Sequence, residues 1–182
     1  MFFFGRLNCI NNFTGEKMSI MNINNLYIKP ASVRQIPLVL NLIKELAVYE
    51  KLIDMVETTE EDLKETLFGK NKSAEVVIGY HEDKPVGYAL YFFNYSSFVG
   101  RPGLYIEDIY VRQEHRGKGF GKAFLVYLAR IAQEKKCGRM EWAVLDWNEP
   151  SIEFYKKLGA TAMDEWTVFR LSRDDVEKLA DK

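Results

Sequence analysis

The sequence predicts an α+β fold, with a central mixed but mostly antiparallel sheet flanked by helices. Three observations carry this expectation. Residues 74–80 and 85–93 read as two strands joined by the turn Glu82-Asp83-Lys84. The run Leu104–Val111 reads as a further strand, and a glycine-rich turn leads from it directly into a long amphipathic helix. Helical patterns stand before and after this strand-rich middle.

Taken in order, residues 1–24 read as a poorly ordered N-terminal extension, followed by a single domain over 25–182. Met1-Phe2-Phe3-Phe4 is too short to span a bilayer, and no basic stretch precedes it, so a signal peptide is not expected. Asn8, Asn11, Asn12, Thr14 and Gly15 make the rest of the extension polar, and Met18 and Met21 are alternative starts. Leu26-Tyr27-Ile28 is a short strand. Ser32 can cap a helix to about Lys51, with Ile36, Val39, Leu40, Ile43, Leu46 and Ala47 as its apolar positions and its regular part starting near Gln35 to Pro37. Thr58-Thr59-Glu60-Glu61 resembles a capping box opening a short helix that Gly69 closes.

The long helix is defined by Phe120, Ala123, Phe124, Tyr127, Leu128, Ile131 and Ala132, a single stripe of i, i+3, i+4 spacing. Lys135, Lys136 and Gly138 mark its end. Met140 to Asp146 is the next strand, and Glu149 to Leu158 a helix with Pro150 in its first turn and Gly159 after it. Trp166 to Leu171 reads as a last strand, and Ser172 caps a C-terminal helix.

Composition excludes several classes of function. A chain of 182 residues with 47% hydrophobic content can bury one substantial core. With 25 basic and 26 acidic residues the net charge is −1, which offers neither nucleic acid nor a membrane surface an electrostatic footprint. Cys9 and Cys137 are far apart and form no disulfide framework or metal spacing, and His81 and His115 are isolated. No metal is expected.

The turn Arg112-Gln113-Glu114-His115-Arg116-Gly117-Lys118-Gly119-Phe120-Gly121-Lys122 carries the chemistry. Free N–H groups and the positive end of the helix dipole meet there, which makes it an anion site and most naturally a phosphate site. The P-loop pattern requires four residues between its glycines and Ser or Thr after the Lys. Here three residues separate Gly117 from Gly121, and Ala123 follows Lys122. The dinucleotide fingerprint requires its third Gly three residues after the second, whereas Gly121 is only two beyond Gly119. What fits is Arg-x-x-Gly-x-Gly through Arg116, Gly119 and Gly121, which resembles the pyrophosphate loop of the GNAT superfamily of N-acetyltransferases, binders of acetyl-CoA.

A second constellation follows the strand at 140–146. Asn148, Ser151 and Tyr155 fall at i, i+3 and i+7 on one helix face, with Phe154 and Leu158 on the other. The stretch Asn148 to Ala160 resembles the second acetyl-CoA motif of that superfamily. Within it the chain is similar to the diamine acetyltransferases, and nearest the thialysine type, through Leu42 to Ala47, Tyr49 to Leu52, Tyr95-Ser96-Ser97, Tyr105 to Val111 and Ala143 to Asn148. The resemblance runs from about Tyr27 to the C-terminus.

It implies a GNAT fold, acetyl-CoA as co-substrate, a small-molecule amine as acceptor, a cytoplasmic location and an intertwined homodimer. The implied donor contacts are Ile109, Tyr110, Val111, Arg116, Gly117, Lys118, Gly119, Phe120, Gly121, Lys122, Asn148, Glu149, Pro150, Ser151 and Tyr155. The implied acceptor contacts are Tyr49, Glu50, Ser96, Glu107, Glu141, Trp142 and Ala143. Spermidine-type members carry an acid at the position of Ser96, so the hydroxyl there favours a shorter amine such as a lysine analogue.

The chemistry itself assigns two roles. A primary amine has a pKa of about 10.4, so the site must remove a proton or select the neutral form. Glu107 stands beside the phosphate turn and can accept that proton. Strand alternation puts it on one face with Ile109 and Val111, and puts Asp108 on the other in a structural role. CoA leaves as a thiolate, and a tyrosine can protonate it, a role the resemblance gives to Tyr155. Two other readings stay open: a protein-lysine acetyltransferase, and a catalytically silent acyl-CoA-binding module, against which the presence of both Glu107 and Tyr155 argues.

Overall fold

The computed structural model describes residues 21–23 and 25–182, so the expected extension lies, up to residue 20, outside the described residues. The chain divides into two compact units, one ending at Ala143 and the other spanning Val144–Lys182.

The first unit is built on one six-stranded sheet in the order β1-β2-β3-β4-β5-β6. Its strands are β1 (Met21–Ile23), β2 (Leu26–Pro30), β3 (Glu75–His81), β4 (Lys84–Ser96), β5 (Arg101–Val111) and β6 (Arg139–Trp142). Neighbours are antiparallel except β5 and β6, which are parallel, so the sheet is mixed as expected. The β3–β4 hairpin closes through Glu82 and Asp83, both at positive φ, the handedness that two-residue hairpin turns require.

Helices α1 (Ile36–Glu50) and α2 (Glu60–Phe68) cover one face. Ile36, Val39 and Leu42 of α1 and Leu63 and Leu67 of α2 are buried in one cluster with Val76, Ile78, Tyr88 and Tyr110 of the sheet. Helix α2 starts at a true capping box, in which the Thr59 hydroxyl accepts from Asp62 N–H at 3.1 Å and Asp62 Oδ2 accepts from Thr59 N–H at 2.9 Å. Helix α3 (Phe120–Glu134) lies on the other face, with Phe120, Ala123, Phe124, Tyr127 and Leu128 buried as the periodicity demands. A Cβ on Gly79 would stand 2.7 Å from Phe124 Cζ, so the bare β3 backbone is what lets that ring seat on the sheet.

The second unit holds α4 (Glu149–Lys157) and α5 (Arg173–Ala180). Ser172 caps α5 by accepting from Asp175 N–H at 3.2 Å.

Four elements depart from the sequence reading. Met21–Ile23 pairs with β2, so the sheet begins inside the expected extension. Strand β6 ends at Trp142 rather than Asp146. Residues 166–171 form no strand: a strand exists only against a hydrogen-bonding neighbour, and among the described residues none pairs with this segment. Trp166, Val168 and Phe169 of that segment are 71%, 86% and 91% exposed.

The fourth departure is an extra residue in β5. Leu90 of β4 pairs with Asp108 and Tyr91 pairs with Ile106, so Glu107 is matched by no residue of β4. Alternation therefore resets at Glu107. Tyr88 and Leu90 lie opposite Tyr110 and Asp108, whereas Ala89 lies opposite Ile109. Ile109 and Val111 share one face as expected, Asp108 takes the α1 side with Tyr88 and Tyr110, and Glu107 is the residue at which the alternation is interrupted.

Candidate active site

The bulge and the end of β6 open the sheet at one place. The parallel pairing of β5 with β6 stops at Ile106–Trp142, the residue before the bulge. From Glu107 to Val111, β5 is paired with β4 on one side, and β6 does not accompany it on the other. An unpaired strand edge presents backbone N–H and C=O groups to an extended ligand. Ile109, Tyr110 and Val111 occupy that stretch.

The open edge runs into the glycine-rich turn. Gly117 and Gly119 have φ of 76° and 81°, a conformation that L side chains rarely adopt, and Gly119 is the N-cap of α3. Ala123 N–H donates to Gly119 O at 3.0 Å and closes the first helical turn, so the N–H groups ahead of it have no acceptor within the helix. The first turn carries no acidic residue, and Lys118 and Lys122 flank it. That charge pattern opposes the usual dipole preference and suits an anion. Arg116 folds back, its Nε donating to Val111 O at 2.9 Å, and its guanidinium lies over the Tyr49 ring at 4.1 Å from the centroid.

At the bulge three carboxyls gather. Asp108 is drawn in from solvent, and burial pushes its pKa up; the Tyr88 hydroxyl, donating to Oδ2 at 2.8 Å, partly offsets this, and the Glu107 charge adds to it. Burial, then the charge of Asp108, raises Glu50 as well. Burial first, then Asp108 and Glu50 among other groups, drives the Tyr88 hydroxyl well above its ordinary value. Glu107 itself is exposed. Alternation expects Asp108 on the face away from Ile109, and the structure has it there, bonded to Tyr88.

The pH dependence of stability at Asp108 has a definite sign. Its pKa is higher folded than unfolded, so the native state holds the proton more tightly. Its contribution is fullest below the unfolded value of about 3.9 and is lost as pH rises through the higher folded value. Asp108→Asn is expected to flatten the fall in unfolding temperature over that window and to stabilise the protein at pH about 7 relative to its stability at pH about 4. Thermal unfolding across this range checks it; a pH-independent offset would show that the carboxyl does not titrate differently on folding.

Of the other expected acceptor contacts, Trp142 pairs with Ile106 beside the bulge, whereas Ser96 is set apart from it. Ser96 is buried at the far end of the β4–β5 hairpin, its hydroxyl accepting from Val99 N–H at 3.3 Å and from Arg139 Nη1 at 3.4 Å. Glu141 accepts from Arg139 Nε at 2.8 Å and from Asn94 Nδ2 at 3.1 Å. Ser96 and Glu141 thus share one arginine, apart from the carboxyls at the bulge, and Trp142 and Ala143 stand at the end of β6.

In the second unit, Asn148 sits at the N-cap position of α4 without a side-chain capping bond, and Pro150 occupies the first turn. Ser151 N–H and Ile152 N–H donate to Asn148 O at 3.0 and 3.1 Å. Tyr155 is a half-buried residue two turns on, with the Phe154 ring 5.4 Å away. Among the described residues no group of three His, Cys, Asp or Glu side chains is arranged to hold a metal ion, and no helix is long and apolar enough to cross a membrane.

An α+β sheet bulged and opened beside a glycine-rich turn at a helix N-terminus is the architecture of an acyl-group transferase. Residues 39–160 match the model of the acetyltransferase (GNAT) family, and the chain belongs to that family and is an acetyltransferase. Among curated proteins it is 39% identical over 155 residues to a thialysine N-epsilon-acetyltransferase of Sus scrofa, covering 79% of this chain and 91% of that one. It is 37% identical over 163 residues to a spermidine/spermine N(1)-acetyltransferase-like protein 1 of Homo sapiens, covering 84% of this chain and 23% of that one. Among solved structures it is similar to an integron cassette protein from the mobile metagenome of V. cholerae, at a TM-score of 0.73 and 26% identity, with 87% of this chain and 99% of the other covered.

Proposed function

We propose that this protein is a cytoplasmic enzyme that moves the acetyl group of acetyl-CoA to the primary amine of a small molecule, a thialysine-like lysine analogue, diamine or polyamine, by direct attack in a ternary complex. The observation that carries the reading is the cluster of Glu50, Glu107 and Asp108 at the point where the open edge of β5 begins. Carboxyls there attract a cationic amine, and the same groups take the proton that must leave before the nitrogen can attack. Glu107 is the exposed acceptor, and Asp108, held by Tyr88, completes the negative field around the cation.

The donor binds with its diphosphate on the turn Arg116–Lys122 and its pantetheine arm along Ile109–Val111 as an added strand. A backbone N–H near Ile109 receives the oxyanion, and the family resemblance adds Asn148, Glu149, Pro150 and Ser151 to the donor contacts. Tyr155 protonates the departing thiolate: with a thiol's pKa of about 8.5 and a phenol's of about 10 the transfer is uphill by only about 2 kcal/mol, and the phenolate regains its proton from solvent. The relatives support the acceptor class, because their names specify thialysine and spermidine or spermine.

The test is acetyl transfer from acetyl-CoA to thialysine, lysine, diaminopropane, spermidine and a lysine-containing peptide. Turnover of at least one small amine in preference to the peptide is expected. Tight CoA binding without turnover of any acceptor would defeat the enzymatic reading, and preference for the peptide would move the acceptor to protein lysine.

The assembly is a homodimer in which the segment 166–171 is covered by a second copy. Trp166, Val168 and Phe169 are too apolar to remain in water as a contiguous run, and β6 is an end strand. Sedimentation equilibrium is expected to give twice the 21.2 kDa chain mass, and Phe169→Asp to give the single mass. A monomeric parent at micromolar concentration would refute this assembly.

A further inference from the structure

Two guanidinium groups tie the anion-binding turn to helix α1. Arg112 Nε and Nη2 donate to the two carboxylate oxygens of Glu45 at 2.9 and 2.7 Å, and Nη1 donates to Pro85 O at 2.8 Å. The pair is only 23% and 29% exposed, and its two-pronged geometry is the strong form of an ion pair. Four residues on, Arg116 lies over the Tyr49 ring. Glu45 and Tyr49 are themselves four apart on α1, so they share one helix face. The turn and the last helical turns of α1 are therefore joined by two rungs. The residue after Tyr49 is Glu50, whose carboxyl belongs to the cluster at the bulge.

We propose that Arg112 and Glu45 are positioning residues for the acceptor amine: they lock the end of α1 that carries Tyr49 and Glu50 to the turn that takes the donor's diphosphate, so that donor and acceptor bind with positive coupling. Neither residue touches substrate. The inference rests on the acetyl-transfer reading given above. Its physical content is that α1 ends at Lys51 in a left-handed cap, φ 61°, beyond which the chain turns away. The last turns are then held from the sheet side by Arg112 and Arg116. Coupling of this kind is reciprocal, and its usual size is a 5- to 150-fold change in affinity, roughly.

The experiment uses the full chain with thialysine and spermidine as acceptor probes and free CoA as donor-site probe. For Glu45→Gln, the KM of whichever probe the parent acetylates is expected to rise about tenfold at saturating acetyl-CoA, with kcat within about twofold. Calorimetry is expected to give a Kd for CoA alone within about twofold of the parent's, with loss of the tightening that the amine produces in the parent. Glu45→Asp, which keeps the charge, is expected to recover part of the amine affinity, and Arg112→Lys serves if Glu45→Gln does not fold.

An unchanged amine KM in a variant with a lowered unfolding temperature would show that the pair only holds the fold, and would overturn the inference. Weakened binding of CoA alone, with no change toward the amine, would overturn it equally. A parent that binds CoA and acetylates neither probe nor any other amine of the panel defeats the acetyl-transfer reading and takes this inference with it. A parent that turns over, with variants unaltered toward the amine, defeats this inference alone.

Discussion

Tyr155→Phe is expected to lower acetyl transfer by about two orders of magnitude while leaving the Kd for CoA within about twofold. The substitution removes one hydroxyl and keeps the ring, so the contact with Phe154 on α4, at 5.4 Å between centroids, survives. What is lost is the proton that the leaving thiolate takes, and positioned proton transfer contributes roughly 10²- to 10⁴-fold to a rate. Steady-state turnover, read beside calorimetric CoA binding, separates the two effects. Turnover equal to the parent's would remove Tyr155 from the chemistry. A matched collapse of CoA affinity would instead make it a binding residue.

The second large effect is on stability. Phe124 is fully buried between α3 and the sheet, and it fills the space left by Gly79. Phe124→Ala removes a ring where the surrounding backbone cannot collapse, and such truncations cost roughly 3–5 kcal/mol. For a domain of this size the unfolding temperature is expected to fall by roughly 10 °C, with no dependence on protein concentration. Phe169→Ala offers the contrast. Phe169 is 91% exposed within its own chain, so its loss costs a lone chain almost nothing. In a dimer the cost grows at concentrations near the dissociation constant, because coupled folding and association shift with mass action. Unfolding followed over a hundredfold dilution tests both variants, and a fall in Phe124→Ala of about 1 °C or less would refute the packing argument.

Local signals were legible in the sequence. The stripe from Phe120 to Ala132 and the capping box at Thr59 depend on neighbours three and four residues away, and both reappear in the structure. The glycine turn was legible because only glycine adopts positive φ at no cost at Gly117 and Gly119. Non-local facts were not. Strand β1 has three residues and no pattern of its own, and its existence depends on β2. The apolar residues in 166–171 are compatible with a strand, but a strand exists only where a partner pairs with it, and none pairs with this segment among the described residues. The carboxyl site was half legible: Glu107 stood out by its place beside the turn, whereas Asp108 and its partner Tyr88 depend on the extra residue in β5, which hydropathy alternation does not announce. Ser96 entered as an acceptor contact through the family resemblance alone, and no local pattern announces the bonds its hydroxyl accepts from Val99 N–H and Arg139.

The residue at the bulge also says what the fold could do without. Ile106 and Asp108 face consecutive residues of β4, so a chain lacking Glu107 could keep every other partner in that ladder. It would be shorter by one amino acid and paired without interruption, and no side chain would have to change sides. As far as folding is concerned, Glu107 is spare length. A single-codon deletion would therefore leave a seamless sheet without the carboxyl proposed to accept the proton, which makes this position a natural place to look when a relative of this protein keeps the architecture and has given up the reaction.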